Sequence, residues 1–336
     1  MPHATDTIDD STLAFAALAP QDVLNAVESL GFACDGRLLA LNSYENRVYQ
    51  VGVDDASPVI AKFYRPGRWS DEAVLEEHDF TRELAELGIP VVAPLAVDGE
   101  TLHFRGPFRL SVAPNRPGRA PELDDHGLLE QLGRLVARLH LHGETEAFEC
   151  RPALDVESFG TASAEFLLDS GFLPDELRDV YASLADHLLE AIERCTGHAG
   201  ATRQIRTHGD FHPGNVLVAG EAVHIVDMDD ARTAPAVQDL WMLLSGDRQE
   251  QEAQLATILA GYEQFRRFDA RELHLVEALR TLRIMHYAAW LGRRWDDPAF
   301  RQAFPWFDTR RYWDEHVLAL REQLALMQEP PLAWYA

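Results

Sequence analysis

Positive charge is in short supply in these 336 residues: 30 Lys+Arg stand against 55 Asp+Glu, for a formal net charge of −25. So anionic a chain is repelled by nucleic-acid phosphates and by anionic membrane surfaces, which argues against both as partners. It favours cationic ligands, although a solvated, solubilising surface explains the charge as simply. Cysteine is scarce too. Cys34, Cys150 and Cys195 are odd in number, widely spaced and without a C-x-x-C. That argues against a disulfide framework and leads to the expectation of a reducing compartment, the cytoplasm. No apolar run reaches membrane-spanning length. Met1 to Ser11 lacks the basic start and apolar core of a secretory signal. Neither G-x-G-x-x-G nor H-E-x-x-H occurs, and there is no internal repeat or low-complexity tract. What remains is ordinary globular composition, 46% hydrophobic and 25% charged, in a chain long enough for two domains.

Residues 1–12 read as a poorly ordered tail. Val23, Leu24, Val27 and Leu30 recur at helical spacing over 20–30, with Gly31 as the stop. Strands follow at 38–41, 47–53 and 59–64, separated by the turns 42–46 and 54–58, an antiparallel meander. Ser70 caps a helix that runs to about Leu87 before Gly88. Two further strands are expected at 89–95 and 102–112. Pro114-Asn115-Arg116-Pro117-Gly118 reads as a hinge. This places a β-rich, nucleotide-binding lobe at 1–114 and a catalytic and substrate lobe at 115–336. The second lobe is mainly helical. Leu128, Leu132, Leu135 and Leu139 form one stripe, and further helices are expected at 155–168, 174–194, 239–244, 251–265, 272–295 and 312–327. Short strands at 216–218 and 223–226 are embedded among them. The aromatic group Trp290, Trp295, Trp306, Tyr312 and Trp313 reads as packing of this lobe.

The chemistry concentrates in His208-Gly209-Asp210-Phe211-His212-Pro213-Gly214-Asn215 and in Asp227, twelve positions beyond Asn215 across an expected hairpin. Phosphoryl transfer from a nucleotide needs a carboxylate to orient the acceptor hydroxyl and two oxygen ligands to hold Mg2+ against the phosphates. Asp210 fits the first task, with Gly209 and Gly214 letting the backbone bend around it. Asn215 and Asp227 fit the second, since Mg2+ takes few protein oxygens. Asp229 and Asp230 follow closely; Asp227 is preferred because it ends an apolar strand. Val59-Ile60-Ala61-Lys62 resembles the strand whose lysine contacts the nucleotide phosphates, and Lys62 is the first lysine in a chain that prefers arginine. Glu77 falls on the inward stripe of Ala73, Phe80, Leu84 and Leu87 and is the expected partner of Lys62, with Glu76 second. The turn carrying Ser43 stands where a phosphate-covering loop belongs, and its backbone N–H groups suit an anion. The nucleotide base is expected against the backbone of 110–113. Asp239 either accepts N–H bonds from the catalytic loop or, more simply, caps a helix. His208 is expected to brace the loop from a buried ring. His140 and His142 point apart on a helix and do not chelate one ion.

These residues, with the runs at 41–50, 62–69, 75–78, 235–244 and 293–300, resemble the bacterial stress response kinase A family. That family is a branch of the aminoglycoside-phosphotransferase/choline-kinase-like superfamily. The resemblance covers most of the chain from about Leu38 to Leu332. It implies a two-lobed α+β protein-kinase-like fold and a cytoplasmic, ATP- and Mg2+-dependent serine/threonine protein kinase of the stress response. It also implies Asp210 as proton acceptor, Asn215 and Asp227 as Mg2+ ligands, and Ser43 as an ATP contact. The expected partners are ATP and protein substrates, with the chain a monomer. Phe211 inside the loop and the hairpin around Gly220 depart from the family pattern. The alternatives are a kinase of small amino sugars or amino alcohols, and a catalytically dead nucleotide sensor.

Overall fold

A computed structural model describes residue 15 and residues 17–334, so the tail expected over 1–12 lies outside the described residues. The chain divides into two compact units, Met1–Arg119 with Val216–Asp229, and Ala120–Asn215 with Asp230–Ala336. Where sequence reading drew one break after residue 114, the units part at Arg119 and a later hairpin groups with the first.

The first unit begins with α1 (Pro20–Glu28), whose first turn has proline at its start and Asp22 accepting the Ala19 N–H. The strands β1 (Cys34–Ala40), β2 (Arg47–Val53) and β3 (Val59–Phe63) then form a meander. In β3, Val59, Ala61 and Phe63 are buried while Ile60 and Lys62 alternate to the other face. The buried set packs with Val23, Val27 and Leu30 around α1 and with Val51, Val53, Leu110 and Val112. Truncating a fully buried ring such as Phe63 costs about 3–5 kcal/mol. The period of two thus seats the core and turns Lys62 away from it. Helix α2 (Asp71–Glu86) starts where the Ser70 hydroxyl accepts the Ala73 N–H. It buries Ala73, Val74, Glu77, His78, Phe80, Thr81 and Leu84.

Two expected strands are corrected. Residues 89–95 contain no strand, only a parallel bridge between Val91 and Ile225. Pro90 and Pro94 remove the N–H donors a ladder needs. Residues 102–112 hold a hairpin instead, β4 (His103–Arg105) and β5 (Phe108–Pro114), turned at Gly106 with φ +56°. Among the described residues these five strands form one antiparallel sheet in the order β1-β2-β3-β5-β4.

The second unit opens with α3 (His126–Gly143), capped by Asp125 accepting the Leu128 N–H. Leu132, Leu135 and Leu139 of the expected stripe are buried and Leu128 half-buried. A π-helical turn (Glu157–Thr161) leads into α4 (Ala162–Asp169), then α5 (Asp175–Ala199) and β6 (Gln204–Thr207). After the loop over residues 208–215 the chain enters the hairpin of β7 (Val216–Ala219) and β8 (Ala222–Ile225), which belongs to the first unit. It returns as β9 (Arg232–Pro235), antiparallel to β6 with Thr207 opposite Arg232. Sequence reading missed β9, since four residues are too few to show alternation. The helices α6 (Gln238–Trp241), α7 (Arg248–Tyr262), α8 (Val276–Arg293), α9 (Pro298–Ala303) and α10 (Arg310–Leu326) complete the unit. Its core joins Leu167, Tyr181, Leu188, Met285, Trp313 and Leu320, with Trp290, Trp295 and Tyr312 packed against it. Trp306 is instead 41% exposed. No helix among the described residues is long and apolar enough to cross a membrane.

Candidate active site

Within the second unit, the loop between β6 and β7 is fixed by its backbone. Asp239, fully buried on α6, accepts the His208 N–H through Oδ2 (2.7 Å) and the Gly209 N–H through Oδ1 (2.9 Å). The simpler helix-capping role is therefore corrected: the cap position of α6 is Val237, with no side-chain cap, and Asp239 anchors the loop. Asp239 in turn lies 3.0 Å from His140 Nε2, whose Nδ1 is 2.9 Å from the Tyr262 hydroxyl. Burial pushes the His140 imidazole down, against the pull of Asp239, so a neutral ring donates from Nε2 and accepts at Nδ1. The Gly209 carbonyl accepts from Gln238 Nε2 (2.8 Å). Gly209 has φ +81°, and a Cβ there would collide with the Asp230 carbonyl oxygen, so only glycine fits. His208 is fully buried, as expected, and its Nδ1 accepts the Asp210 N–H (3.3 Å). Phe211 is also fully buried, edge-on to His208. The family departure is thus a core side chain beneath the loop.

Asp210 itself projects with a fifth of its side chain exposed. Its Oδ1 is ion-paired with Arg283 of α8, and His212 Nε2 lies 3.5 Å from its Oδ2. Asn215 is brought to it: the Asn215 amide nitrogen donates to the Asp210 carbonyl (2.9 Å). That bond commits the nitrogen, so the amide oxygen is the atom the side chain could offer a cation.

Within the first unit, Lys62 and Asp227 come together. The Lys62 ammonium lies 3.2 Å from Asp227 Oδ1 and 2.9 Å from Asp229 Oδ1. Arg68 holds the other Asp229 oxygen at 2.5 Å. The expected Lys62–Glu77 pairing is corrected by these contacts. Glu77 is buried as its place on the stripe implied, but its Oε1 accepts from Thr81 (3.1 Å) and it reaches Lys62 only through its field. Burial pulls the Lys62 ammonium down, yet Asp229, Asp227, Tyr64 and Glu77 together carry it well above the ordinary lysine range. Lys62 is, moreover, the only lysine among the 336 residues. Asp227 adopts φ +61°, in the left-handed region that disfavours a side chain. Such a backbone costs of order 1–3 kcal/mol and is typical of sites that aim a functional group.

The Ser43 turn has no glycines to shape it; Arg65 shapes it instead. Its backbone N–H donates to Asn46 Oδ1 (3.1 Å), its Nε to the Glu45 carbonyl (2.9 Å) and its Nη2 to the Tyr44 carbonyl (3.3 Å). Ser43 lies half-buried just before these residues. Sequence reasoning singled out neither Arg65, Arg68 nor Arg283. The first two sit inside the 62–69 run, a signal that was there to use; Arg283 carries no motif at all.

For Mg2+, the donor chemistry fits. The Asp227 carboxylate, half-exposed, and the Asn215 amide oxygen are hard oxygen ligands. Among the described residues no group of three or more His, Cys, Asp or Glu is arranged to hold a metal. Mg2+ on phosphates needs no such cage, since it keeps waters and phosphate oxygens as ligands.

An aspartate and an asparagine five residues apart on a pinned loop, with a lysine–aspartate pair on a β-rich unit, are the parts of a phosphotransferase. Residues 37–276 match the Phosphotransferase enzyme family, and the chain belongs to it. Within that family it is a stress response kinase A type kinase. The stress response kinase A of Escherichia coli (strain K12) is 40% identical over 326 residues, covering 97% of this chain and 98% of that one. The serine/threonine protein kinase RdoA of Salmonella typhimurium (strain LT2) is 40% identical over 325 residues, with the same coverage. Solved structures share the fold at lower identity. The amicoumacin kinase hAmiN in complex with AMP-PNP, Ca2+ and Ami superposes with a TM-score of 0.73 at 19% identity, over 96% of this chain and 97% of that one. A microcompartment-associated aminopropanol kinase gives 0.69 at 19%, over 91% and 97%. The fold is thus the α+β kinase-like fold expected from sequence.

Proposed function

We propose that this kinase transfers the γ-phosphate of ATP to serine and threonine hydroxyls of proteins, in the cytoplasm, as part of a stress response. The observation that carries the reading is the Asp210 loop, whose backbone is fixed at His208, Gly209 and Asp210 while the carboxylate itself projects. The names of the curated relatives support a protein acceptor.

In this reading Asp210 orients the acceptor hydroxyl and takes its proton as the oxygen attacks the γ-phosphorus, the bond from that phosphorus to the bridging oxygen breaks, and ADP leaves. Asn215 and Asp227 would each offer an oxygen to Mg2+, which would supply neutralisation of charge on the phosphates. Lys62 leaves its carboxylate partners to contact the α- and β-phosphates, while Glu77 keeps it charged. The Ser43 turn, held open by Arg65, offers its hydroxyl and N–H groups to a phosphate.

A second reading, a kinase of small cationic acceptors, has the net charge of −25 and the small-molecule kinases among the fold neighbours in its favour. Radiolabelled ATP, offered with generic protein acceptors and with a panel of amino sugars and amino alcohols, separates the two. Label on protein serine and threonine is expected; label on small molecules alone overturns the proposal. Asp210→Ala is expected to slow transfer by about 10²–10⁴-fold while nucleotide still binds. Equal turnover in wild type and variant would remove Asp210 from its role.

A further inference from the structure

We propose that one face of α8, running from Arg283 to Arg293, docks the acceptor protein segment and selects hydroxyls flanked by acidic residues. This rests on the protein-kinase reading above and names its substrate class.

At about 100° per residue, Arg283, His286, Tyr287, Trp290 and Arg293 fall within about a third of the helix circumference. Arg283 starts the face at the catalytic carboxylate, ion-paired to Asp210 with 41% of its own side chain exposed. Tyr287 is 38% exposed and its ring stacks against Trp290 at 5.6 Å. His286 lies stacked on Phe159 at 4.1 Å, and Arg232 sits over the same ring at 4.8 Å. Burial first, then the charges of Arg232, Arg293 and Arg283, push the His286 imidazole down to about 4, with Asp230 opposing. Cations therefore gather here in a chain that is otherwise strongly acidic.

Two of these cations already have carboxylates, Arg283 with Asp210 and Arg232 with Asp230. Arg293 differs. It donates to the Ala162 carbonyl (2.9 Å), covers the Phe166 ring, and has no carboxylate at ion-pair distance among the described residues. Burial and the adjacent Arg294 guanidinium hold its pKa below the ordinary arginine range. An exposed arginine beside the Tyr287–Trp290 stack is the composition of a protein-binding hot spot. Ten residues of helix from Arg283 to Arg293 span about 15 Å, the reach of roughly four to five extended residues. An acidic side chain that far from the target hydroxyl meets Arg293. One next to the hydroxyl draws Arg283 off Asp210 and frees the base.

The test uses the full chain with Mg-ATP and three serine peptides that differ only at the positions four and five residues from the serine on either side: acidic, neutral or lysine. Wild type should favour the acidic over the lysine peptide by roughly fivefold or more in kcat/KM. Arg293→Glu should invert that order and Arg293→Lys should keep it, an inversion that a merely structural role cannot produce. Equal turnover of acidic and lysine peptides by wild type, or an acidic preference unchanged in Arg293→Glu, overturns the docking face while leaving a protein kinase. Transfer to amino alcohols with no peptide labelled overturns both readings.

Discussion

Lys62 and Asp210 each meet an opposite charge, but what surrounds the two contacts differs. Around Lys62 the partners are themselves charges: Asp227, Asp229 and, through Asp229, Arg68. Around Asp210 the partners behind the carboxylate are backbone groups. Asp239 takes two N–H bonds, His208 a third, and Gln238 and Asn215 bind the carbonyls of Gly209 and Asp210. Coulomb attraction is undirected, so a cluster of charges can exchange one anion for another when a phosphate arrives. Hydrogen bonds to backbone are directional, so a loop held by them keeps its shape. A group that must release its partners is held by charge, and a group that must stay put is held by geometry.

Substitutions break or sharpen that contrast, taken here by expected effect on turnover. Lys62→Met should cost roughly 10²–10³ in kcat/KM for ATP, the scale of losing one fixed group that stabilises charge developing on the leaving nucleotide phosphates. Its melting temperature should barely move, since Asp229 keeps Arg68. Asp239→Ala should reverse the balance. It strands two backbone N–H groups and His140 in a dry interior, a loss of about 3–5 kcal/mol in chemical denaturation. Turnover should fall with it by roughly 10²-fold, through misplacement of Asp210. A Lys62→Met that unfolds, or an Asp239→Ala as stable as wild type, would dissolve the distinction. Arg65→Lys is gentler: an ammonium lacks the rigid fork by which Nε and Nη2 reach the carbonyls of Glu45 and Tyr44 separately, and KM for ATP should rise about fivefold.

How legible each half was follows from sequence distance. Asp210, Asn215 and Asp227 carry a motif because their spacing along the chain is part of the chemistry. β2 and the Ser70-capped α2 were legible because alternation and capping are local. The pinning of the loop was not. Asp239 reaches His208 across 31 positions, through the β6–β9 pair whose second strand is too short to leave a pattern. Arg283 reaches Asp210 across 73 positions, from a helix chosen for its packing. Glu77 was read correctly as inward-facing. Its partner was misassigned because Asp229, which binds Lys62 instead, arrives on a stretch 167 residues further along the chain.

The smallest effect on turnover, within about twofold, is expected at Glu272, which supports the anchor from behind by accepting the Val237 N–H (2.8 Å) at the start of α6. It is fully buried, and burial pushes its carboxyl up from 4.5 to about 7, against the pull of that N–H. A carboxyl raised in the folded state binds a proton that the unfolded chain has already lost. Its stabilisation is complete below pH 4.5 and lost as pH rises through 7. His286 and His316, buried and pushed down to about 4, act oppositely: they cost stability as pH falls from 6.5 through 4. Both histidines are shared by wild type and Glu272→Gln, so the difference between the two proteins isolates the glutamate. That difference should be near zero at pH 4.5, grow to on the order of 2 kcal/mol in favour of the glutamine by pH 7.5, and then level off. Denaturant midpoints across that range measure it. A difference independent of pH would mean that Glu272 is already ionised in the fold, and that the anchor of the Asp210 loop, like the Lys62 cluster, is held by charge.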